Sequence, residues 1–504
     1  GGGAIAGLVD LVSKKPTDQR QLNLLLNGTS ALGLDASAFY AEKFNKVGIT
    51  IYGAYNKGTA YDPSDIGLTA IPEFDRYTFN PRLFFYLNES TTLSAGLNAT
   101  NEKRVGGDIR FVEGKGTPLN SYFERNETGR YSSQLELEHK HSDVEKLTVK
   151  NSVSYYDRSI GLPNYLFSGT QISTFSEASY NRTGEKADWV LGANLTTDNF
   201  KEDRNGTGQL RDYSHLTIGG FVQNTFNLSE KFTVESGLRG DYHDQYGFFV
   251  LPRVSTLWKI SEKLSTRLGG GLGYKAPTVF TEDAERIQFR NVLPVEVYNA
   301  RAEHSFGANL DINYRTALFN DNIGFSINHM FFYTRINHPI LLMPVGGGNL
   351  GYVQPAGNLD TRGMETNLKL TYGDLKLFVG YTLADVKQKT NATRTTYPLV
   401  SKHRINNVLM YEVEDKWKIG AEAYYFSGQR LNDGLTGQSY WTTGFLAEKL
   451  WERFSVFVNF ENFTDTRQTR FDTIYTGSLT NPVFRDIYAP VDGFVVNGGI
   501  KIRL

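Results

Sequence analysis

The sequence has no cysteine among its 504 residues, and its charges nearly cancel to a formal net charge of −1. The absence of cysteine excludes a disulfide framework, a thiolate metal site and a cysteine nucleophile. The balanced charge argues against a nucleic-acid partner, which would require a basic stripe or a strongly basic composition. No run approaches the ~20 apolar residues that a membrane-spanning helix requires. The chain is therefore not predicted to be a helical membrane protein.

Residues that commonly carry catalysis or bind metals are few and scattered. The eight histidines show no ligand spacing beyond the pair His139 and His141, and no Gly-X-Ser-X-Gly motif or Ser/His/Asp set stands out. We therefore predict no catalytic residues, no metal site and no cofactor. Thr281–Arg286 is predicted to form a short helical turn capped by Thr281, so its carboxylates are interpreted as capping and surface groups.

The strongest positive signal is an alternation of apolar and polar residues with a period of two. One face of the segment near residue 457 carries Phe454, Val456, Val458 and Phe460. Such alternation is typical of β-strands with one face in a core or in lipid. We predict 22 such strands between residues 19 and 504. Most are longer than the usual ~5–6 residues and match the ~9–11 residues of a membrane-crossing strand.

The connections between these segments alternate in length. Every second connection is tight, as at Ser229–Lys231 and Glu414–Lys416, whereas most of the others are long: 57–75, 104–128, 160–170, 199–212, 276–300, 337–352, 388–402 and 464–492. In a meander, alternate connections lie on opposite rims. The sequence therefore predicts an all-β fold, a 22-stranded antiparallel up-and-down transmembrane β-barrel with short periplasmic turns and long extracellular loops. Its lumen is predicted to be lined by polar residues that include Asn23, Gln134, Glu136, Asn459 and Lys501.

Three stretches resemble one known family. The glycine-rich start, Gly1–Pro16, resembles the end of the plug domain of TonB-dependent outer-membrane receptors. Gly273–Thr278 is similar to the motif that opens the seventh outer loop of these receptors, and Asn459–Asp465 is similar to their penultimate strand. The resemblance implies that residues 1–18 are the plug's C-terminal end and linker and that 19–504 are the barrel. It also implies that the rest of the plug, the secretion signal and the TonB-contacting segment lie outside this chain.

The resemblance also implies a function, which is energised uptake of a scarce nutrient across the outer membrane of a Gram-negative bacterium. The implied partners are the TonB–ExbB–ExbD complex, the plug domain of the same chain, outer-membrane lipid and a small ligand such as a ferric chelate. No bond is made or broken in such transport, so the chain is not predicted to be an enzyme, and the barrel is expected to be monomeric.

Two long loops combine arginines with aromatic residues, which suits an anionic, partly aromatic ligand such as a ferric catecholate chelate. The candidate ligand residues are Arg110, Phe111, Tyr122, Arg125, Arg467, Arg470, Phe471, Tyr475 and Arg485. The same residues are also consistent with solvated loops held together by aromatic packing. A ferric siderophore is the predicted cargo, with cobalamin, haem or a glycan as alternatives. A passive pore is the alternative from a different class.

Overall fold

The computed structural model describes residues 13–206, 208–296 and 299–504. Residues 1–12 of the predicted plug end and linker (1–18) lie outside the described residues. Twenty-two long strands form one sheet, and we number them in chain order: β1 Gln21–Thr29, β2 Leu34–Phe44, β3 Val47–Gly58, β4 Glu73–Tyr86, β5 Thr91–Gly107, β6 Phe123–Ser142, β7 Glu145–Leu162, β8 Tyr165–Arg182, β9 Ala187–Glu202, β10 Tyr213–Ser229, β11 Phe232–His243, β12 Gly247–Lys259, β13 Leu264–Lys275, β14 Glu303–Leu318, β15 Ile323–Asn337, β16 Gly357–Tyr372, β17 Leu375–Thr390, β18 His403–Val413, β19 Trp417–Phe426, β20 Tyr440–Leu450, β21 Phe454–Glu461 and β22 Val495–Arg503.

The sheet closes into a barrel. Each strand pairs antiparallel with the next one in sequence, and β22 pairs with β1, where Leu24 lies opposite Ile502. Closure removes the unpaired edges that an open sheet of this size would expose. The predicted 22-stranded antiparallel barrel is confirmed. None of the helices in the described part of the chain is long and apolar enough to span a membrane.

The two faces of the wall follow the alternation in the sequence. The register places Leu26, Ile500 and Val456 side by side on the outer face, where large apolar side chains such as Phe248 and Leu268 are exposed. A band of exposed apolar residues is what a lipid-facing wall presents. The register places the opposite, polar set on the lumen face, as predicted: Asn23, Gln134, Glu136, Asn459 and Lys501.

The connections divide between the two rims as predicted. One rim carries turns of two to four residues, and the other carries the loops. We name these loop 1 (30–33), loop 2 (59–72), loop 3 (108–122), loop 4 (163–164), loop 5 (203–212), loop 6 (244–246), loop 7 (276–302), loop 8 (338–356), loop 9 (391–402), loop 10 (427–439) and loop 11 (462–494).

Several loops contain short elements of their own. Loop 3 contains the helical turn α1 (Ile109–Val112), and loop 7 contains α2 (Glu282–Arg286). Loop 11 contains the 3₁₀ turn Gln468–Arg470 and a small hairpin, loop 8 contains another hairpin, and loop 9 contains a short strand: Tyr475–Ser478 with Asn481–Phe484, Leu341–Gly346 with Asn349–Val353, and Thr393–Thr396.

The predicted bounds of two loops were wrong. The connection predicted at 160–170 is only Pro163 and Asn164, because β7 and β8 continue well past the membrane as a hairpin. Asn164 has a φ of 61°, a left-handed conformation that asparagine tolerates better than most residues. The loop predicted at 104–128 is likewise shortened at both ends, so Phe123 and Arg125 lie on β6. Strand segments above lipid need no apolar face, and the period-two signal therefore stops before the strands do.

Candidate ligand-binding site at the barrel mouth

Loops 2, 3 and 7 converge on an apolar core above the lumen. Phe289 of loop 7 is fully buried and stacks on Phe167 of β8 with a ring-centroid distance of 4.3 Å. Loops 2, 3, 7 and the tops of β7–β9 supply the buried members of this core: Leu68, Tyr122, Ile160, Leu162, Phe167, Phe200, Val279, Ala284, Phe289 and Val292. We call this cluster the cap. It joins loops that are distant in sequence, so it holds their positions over the barrel mouth.

Buried Arg211 joins loop 5 to the top of β9 by an ion pair and to loop 7 by a hydrogen bond. Arg211 donates from Nε to Glu202 Oε2 at 2.8 Å and from Nη1 to the Phe289 carbonyl oxygen at 2.6 Å. Its guanidinium carbon also lies 4.8 Å from the centroid of the Phe167 ring. Arginine suits this role because its planar fork can pair with a carboxylate and stack on an aromatic face at once.

A cavity of about 330 Å³ lies beside the cap, between loop 2, the tops of β5 and β6, and loop 11. We call it the mouth cavity. Loop 11 lines it with apolar side chains that include Ile474, Phe484 and Ile487. The wall lines it with Arg104, Glu124 and Asn126. A mainly apolar cavity of this size with a few converging polar groups is typical of small-molecule sites.

The polar groups of the mouth cavity face the lumen, and two of their atoms have no hydrogen-bond partner within the described structure. Arg104, Glu124 and Asn126 occupy the same face as Gln134 and Glu136 in the β5–β6 register. Arg104 Nη2 pairs with Glu102 at 2.9 Å, and Gln288 of loop 7 donates to Glu124 at 3.0 Å. The Nε of Arg104 and the Oδ1 of Asn126 are buried and have no hydrogen-bond partner within the described structure. Buried polar groups without partners are rare, so each calls for an explanation.

Loop 7 is anchored to the same wall by α2. Thr281 caps this turn as predicted, since its hydroxyl oxygen accepts from the Ala284 N–H at 3.3 Å. Glu285 of α2 pairs with Arg158 of β7 at 2.7 Å. The carboxylates of this turn were predicted to be capping and surface groups, whereas Glu285 joins the loop to the lumen side of the barrel.

Of the nine predicted ligand residues, only Tyr122 lines the mouth cavity. Its ring lies 5.9 Å from that of Phe484, centroid to centroid, and burial raises the pKa of Tyr122 to about 12. Tyr475 lies nearby, packed against the cap, and donates its hydroxyl to the Ile66 carbonyl at 3.2 Å. The structure therefore brings parts of loops 2, 3 and 11 together, as a shared site requires.

Three other predicted residues, Arg110, Phe111 and Arg125, lie away from the cavity. Arg110 is exposed on α1, and Phe111 stacks on Phe123 at 4.7 Å. Arg125 was predicted as a loop residue, but it is a strand residue of β6 whose register neighbours Val105 and Gly161 place it on the outer face. Phe111 and Arg125 line a separate groove of about 710 Å³. This groove opens away from the lumen.

The predicted arginines of loop 11 pair with carboxylates. Arg467 and Arg470 both pair with Asp465, and Arg467 Nε lies 3.1 Å from Asp465 Oδ1. Arg485 joins Asp472 of the same loop, at 3.3 Å, to Asp433 of loop 10, at 3.2 Å. These contacts tie loop 11 to itself and to its neighbour.

The interior of loop 11 depends on a residue that the sequence did not single out. Gln468 is fully buried, and its Oε1 accepts from the backbone N–H groups of Tyr488 at 2.8 Å and Ala489 at 3.1 Å. Its Nε2 donates to the Asp486 carbonyl at 2.9 Å. Phe471, the remaining predicted residue, lies with its ring centroid 6.3 Å from that of Tyr488. A lone glutamine in a polar loop carries no sequence signal for this role.

A protein usually holds a metal ion with three or more histidine or acidic side chains that converge on one point. Among residues 13–206, 208–296 and 299–504, no three or more of these residues converge in this way. The groups of the mouth cavity that can contact a ligand are guanidinium, carboxylate, amide and aromatic side chains.

Comparison with known proteins agrees with the barrel architecture. Residues 67–463 match the family described as "TonB dependent receptor-like, beta-barrel". The chain is 21% identical over 494 residues to an iron-regulated outer membrane virulence protein of Vibrio cholerae serotype O1, and the match covers 87% of this chain and 70% of that protein.

Solved structures with the same fold cover the whole chain. A mutant of the ferric enterobactin receptor PfeA from Pseudomonas aeruginosa, in complex with enterobactin, superposes with a TM-score of 0.77 at 14% identity, covering 100% of this chain and 84% of that one. The ferric-catecholate import receptor Fiu from E. coli superposes with a TM-score of 0.75 at 11% identity, with the same coverage. The family match extends over most of the barrel, from loop 2 to the end of β21. The chain belongs to the TonB-dependent receptor-like β-barrel family of the bacterial outer membrane.

Proposed function

We propose that this barrel belongs to a receptor that imports a ferric siderophore, of the catecholate type, in a TonB-dependent manner. The observation that carries the proposal is the mouth cavity. It combines a lumen-facing guanidinium, Arg104, with the aromatic rings of Tyr122 and Phe484. A ferric catecholate is an anion with aromatic rings, so hydrogen bonds, charge and cation–π contact would all favour it. Binding and release involve no covalent chemistry, and we propose no enzymatic activity.

The names of similar proteins support the same cargo class. The Vibrio cholerae relative is named for its regulation by iron. The PfeA structure holds enterobactin, and Fiu is named as an import receptor for ferric catecholates. A shared fold alone does not determine the ligand. We therefore infer the cargo from the mouth cavity of this chain itself.

We further propose the predicted domain division, in which residues 1–18 are the end of a plug and 19–504 are the barrel. Residues 14–18 support this division because they contact the lumen face near the periplasmic rim. Lys15 pairs with Glu138 of β6 at 3.2 Å, and the Thr17 carbonyl accepts from the Lys43 N–H at 2.9 Å. A chain that enters the lumen here is positioned to continue into a plug. TonB, energised by ExbB and ExbD, would then act on that plug.

Within this proposal the predicted ligand residues have different roles. Tyr122 contacts cargo in the mouth cavity together with Arg104 and Asn126. Tyr475 supports that surface from behind, and Phe471 packs against Tyr488 inside loop 11. The remaining six candidates stay predictions as outer-surface groups or as loop braces: Arg110, Phe111, Arg125, Arg467, Arg470 and Arg485.

The test is growth of a strain that lacks the complete gene, with iron supplied only as one defined source at a time. We expect a growth defect only when the iron source is a ferric catecholate. When TonB is inactivated in both strains, the deletion strain and its parent should grow equally on that source. A defect only with haem, cobalamin or a glycan would keep the receptor class and refute the proposed cargo. Growth indistinguishable from the parent strain on every source would refute energised import by this protein.

A further inference from the structure

A group of charged side chains lies on the outer face of β15–β17, at the end nearest the extracellular loops. The register aligns Tyr333, Arg362 and Asp385 across the three strands, and it aligns Arg335, Asp360 and Lys387 one step further from the periplasmic turns. Arg394 lies next to them on the short strand of loop 9, opposite Lys389. We call this set the outer cationic patch.

The strand pattern places the patch at the upper boundary of the lipid-facing band. On the outer face of β15, Phe325, Ile327 and Phe331 come first and Tyr333 and Arg335 follow. With a rise of ~3.3 Å per residue and a tilt of ~40°, Arg335 lies roughly 25 Å above Phe325. This equals the ~25 Å height of the apolar band of such barrels. The patch therefore begins at the level of the lipid headgroups.

The patch presents its positive charges outward and covers its negative ones. Asp385 pairs with Arg362 at 3.1 Å and Lys387 at 3.3 Å, and the side chain of Asp385 is 18% exposed against 62% for Arg362. Asp360 accepts from the Tyr333 hydroxyl at 3.1 Å and lies 3.9 Å from Arg394.

Four cationic side chains pair with two carboxylates, and a fifth, Lys389, lies beside them in register: Arg335, Arg362, Lys387 and Arg394 with Asp360 and Asp385. Three positive charges remain without a compensating carboxylate in the patch.

The outer face at a similar position across the barrel carries no excess of positive charge. On the outer face of β3–β6, Lys57 and Lys103 flank Asp75 in register, and Lys103 lies opposite Glu127. Positive and negative charges are equal in number there. The surplus at β15–β17 is therefore not a general property of the upper rim.

We propose that the outer cationic patch binds the phosphate groups of a phosphorylated glycolipid in the outer leaflet of the outer membrane. Guanidinium groups match phosphate oxygens in a bidentate geometry. Basic residues beside a membrane attract anionic headgroups. Phe331, immediately below the patch, and Tyr333, at its lower edge, suit contact with the upper ends of the acyl chains. The proposal depends on the outer-membrane location and is independent of the cargo.

The test measures lipid A binding by the complete receptor, purified in detergent and stripped of lipid. The variant combines Arg335→Gln, Arg362→Gln and Arg394→Gln, and the matched control combines Lys57→Gln with Lys103→Gln. We expect diphosphorylated lipid A to bind the triple variant at least about tenfold more weakly than wild type, because each lost contact is a charged hydrogen bond. The control is expected to bind like wild type. Heat-dependent gel mobility checks that each barrel is folded, and the single variant Arg362→Gln replaces the triple if that barrel fails to fold.

Two further arms identify the source of the phosphate. Dephosphorylated lipid A is expected to bind wild type and variant with the same weak affinity, and inorganic phosphate is expected not to displace the lipid. Equal binding of diphosphorylated lipid A to wild type and to a folded variant would overturn the proposal. Equal binding of phosphorylated and dephosphorylated lipid to wild type would overturn it as well. Displacement by inorganic phosphate would reassign the patch to a soluble anion.

Discussion

Arg104 on β5 and Arg470 on loop 11 both lie at the barrel mouth, yet their surroundings differ. Arg104 lines the mouth cavity, and its Nε lacks a partner within the described structure. Arg470 is half exposed and pairs with Asp465, which also holds Arg467. Loop 11 contributes Phe484 and other apolar side chains to the cavity but none of its arginines. A segment rich in arginine and aromatic residues can therefore be either a ligand-facing wall or a loop held by its own ion pairs.

The largest effect is expected from Gln468→Met, which tests whether loop 11 is held from inside. The change leaves the N–H groups of Tyr488 and Ala489 buried without partners. At about 1–3 kcal/mol for each unsatisfied group, the loop should lose about 3 kcal/mol of local stability. Amide hydrogen exchange across residues 464–492 measures the loss. Gln209→Met, at an exposed side chain of loop 5, is the control, and unchanged exchange in the Gln468 variant would show that the loop is held in another way.

The next effect is expected from Arg104→Gln, which tests the ligand-facing side of the comparison. Loss of one charge-assisted contact costs about 1.5–3 kcal/mol, so affinity for a ferric catecholate should fall roughly tenfold to a hundredfold. Fluorescence quenching titration of the complete receptor measures this affinity. An affinity equal to that of wild type would remove Arg104 from the site.

A smaller effect is expected from Arg470→Gln, on the other side of the comparison. Its partner Asp465 retains Arg467, and an exposed ion pair contributes about 0.2–1 kcal/mol. Affinity in the same titration should change less than about threefold, since ~1.4 kcal/mol would be needed for a tenfold change. A loss as large as that of Arg104→Gln would show that loop 11 arginines bind the cargo directly, as the sequence analysis predicted.

The smallest effect is expected from pH at the link between loops 10 and 11. A hydrogen bond from the Leu435 backbone N–H and the nearby Arg485 lower the pKa of Asp433. A lowered pKa in the folded state stabilises the link above the usual value of ~3.9, and this contribution is lost as pH falls through the lowered value. Distances between spin labels on loops 10 and 11 should stay constant from about pH 7 to about pH 5. Separation of the labels within that range would contradict the assignment.

The barrel was predictable because lipid imposes a strict alternation on every strand. The outward set that begins with Phe454 and Val456 is readable without any tertiary information. Strand ends above the membrane were not predictable in the same way, since the outer face of β7 there carries Ser159 and Gly161 and its inner face packs into the cap. This is why the loop expected at 160–170 is only two residues long.

The site was less predictable, because the side of the wall and the ion pairs are tertiary features. Arg125 was identified by its residue type, but one strand position decides whether it faces the lumen or the exterior. Arg104, one of the wall residues that line the cavity, lies in a polar stretch of β5 with no distinguishing pattern. The sequence could not reveal that Asp465 would neutralise part of the charge of loop 11.

The most direct test of the account is uptake of radioactive iron, supplied as a ferric catecholate, by cells that express the complete receptor as wild type, Arg104→Gln or Arg470→Gln. Uptake is expected to require TonB and to be unchanged in the Arg470 variant. In the Arg104 variant, uptake is expected to fall at low chelate concentration and to recover at high concentration. Uptake that proceeds without TonB, or that falls equally in both variants, would contradict the account.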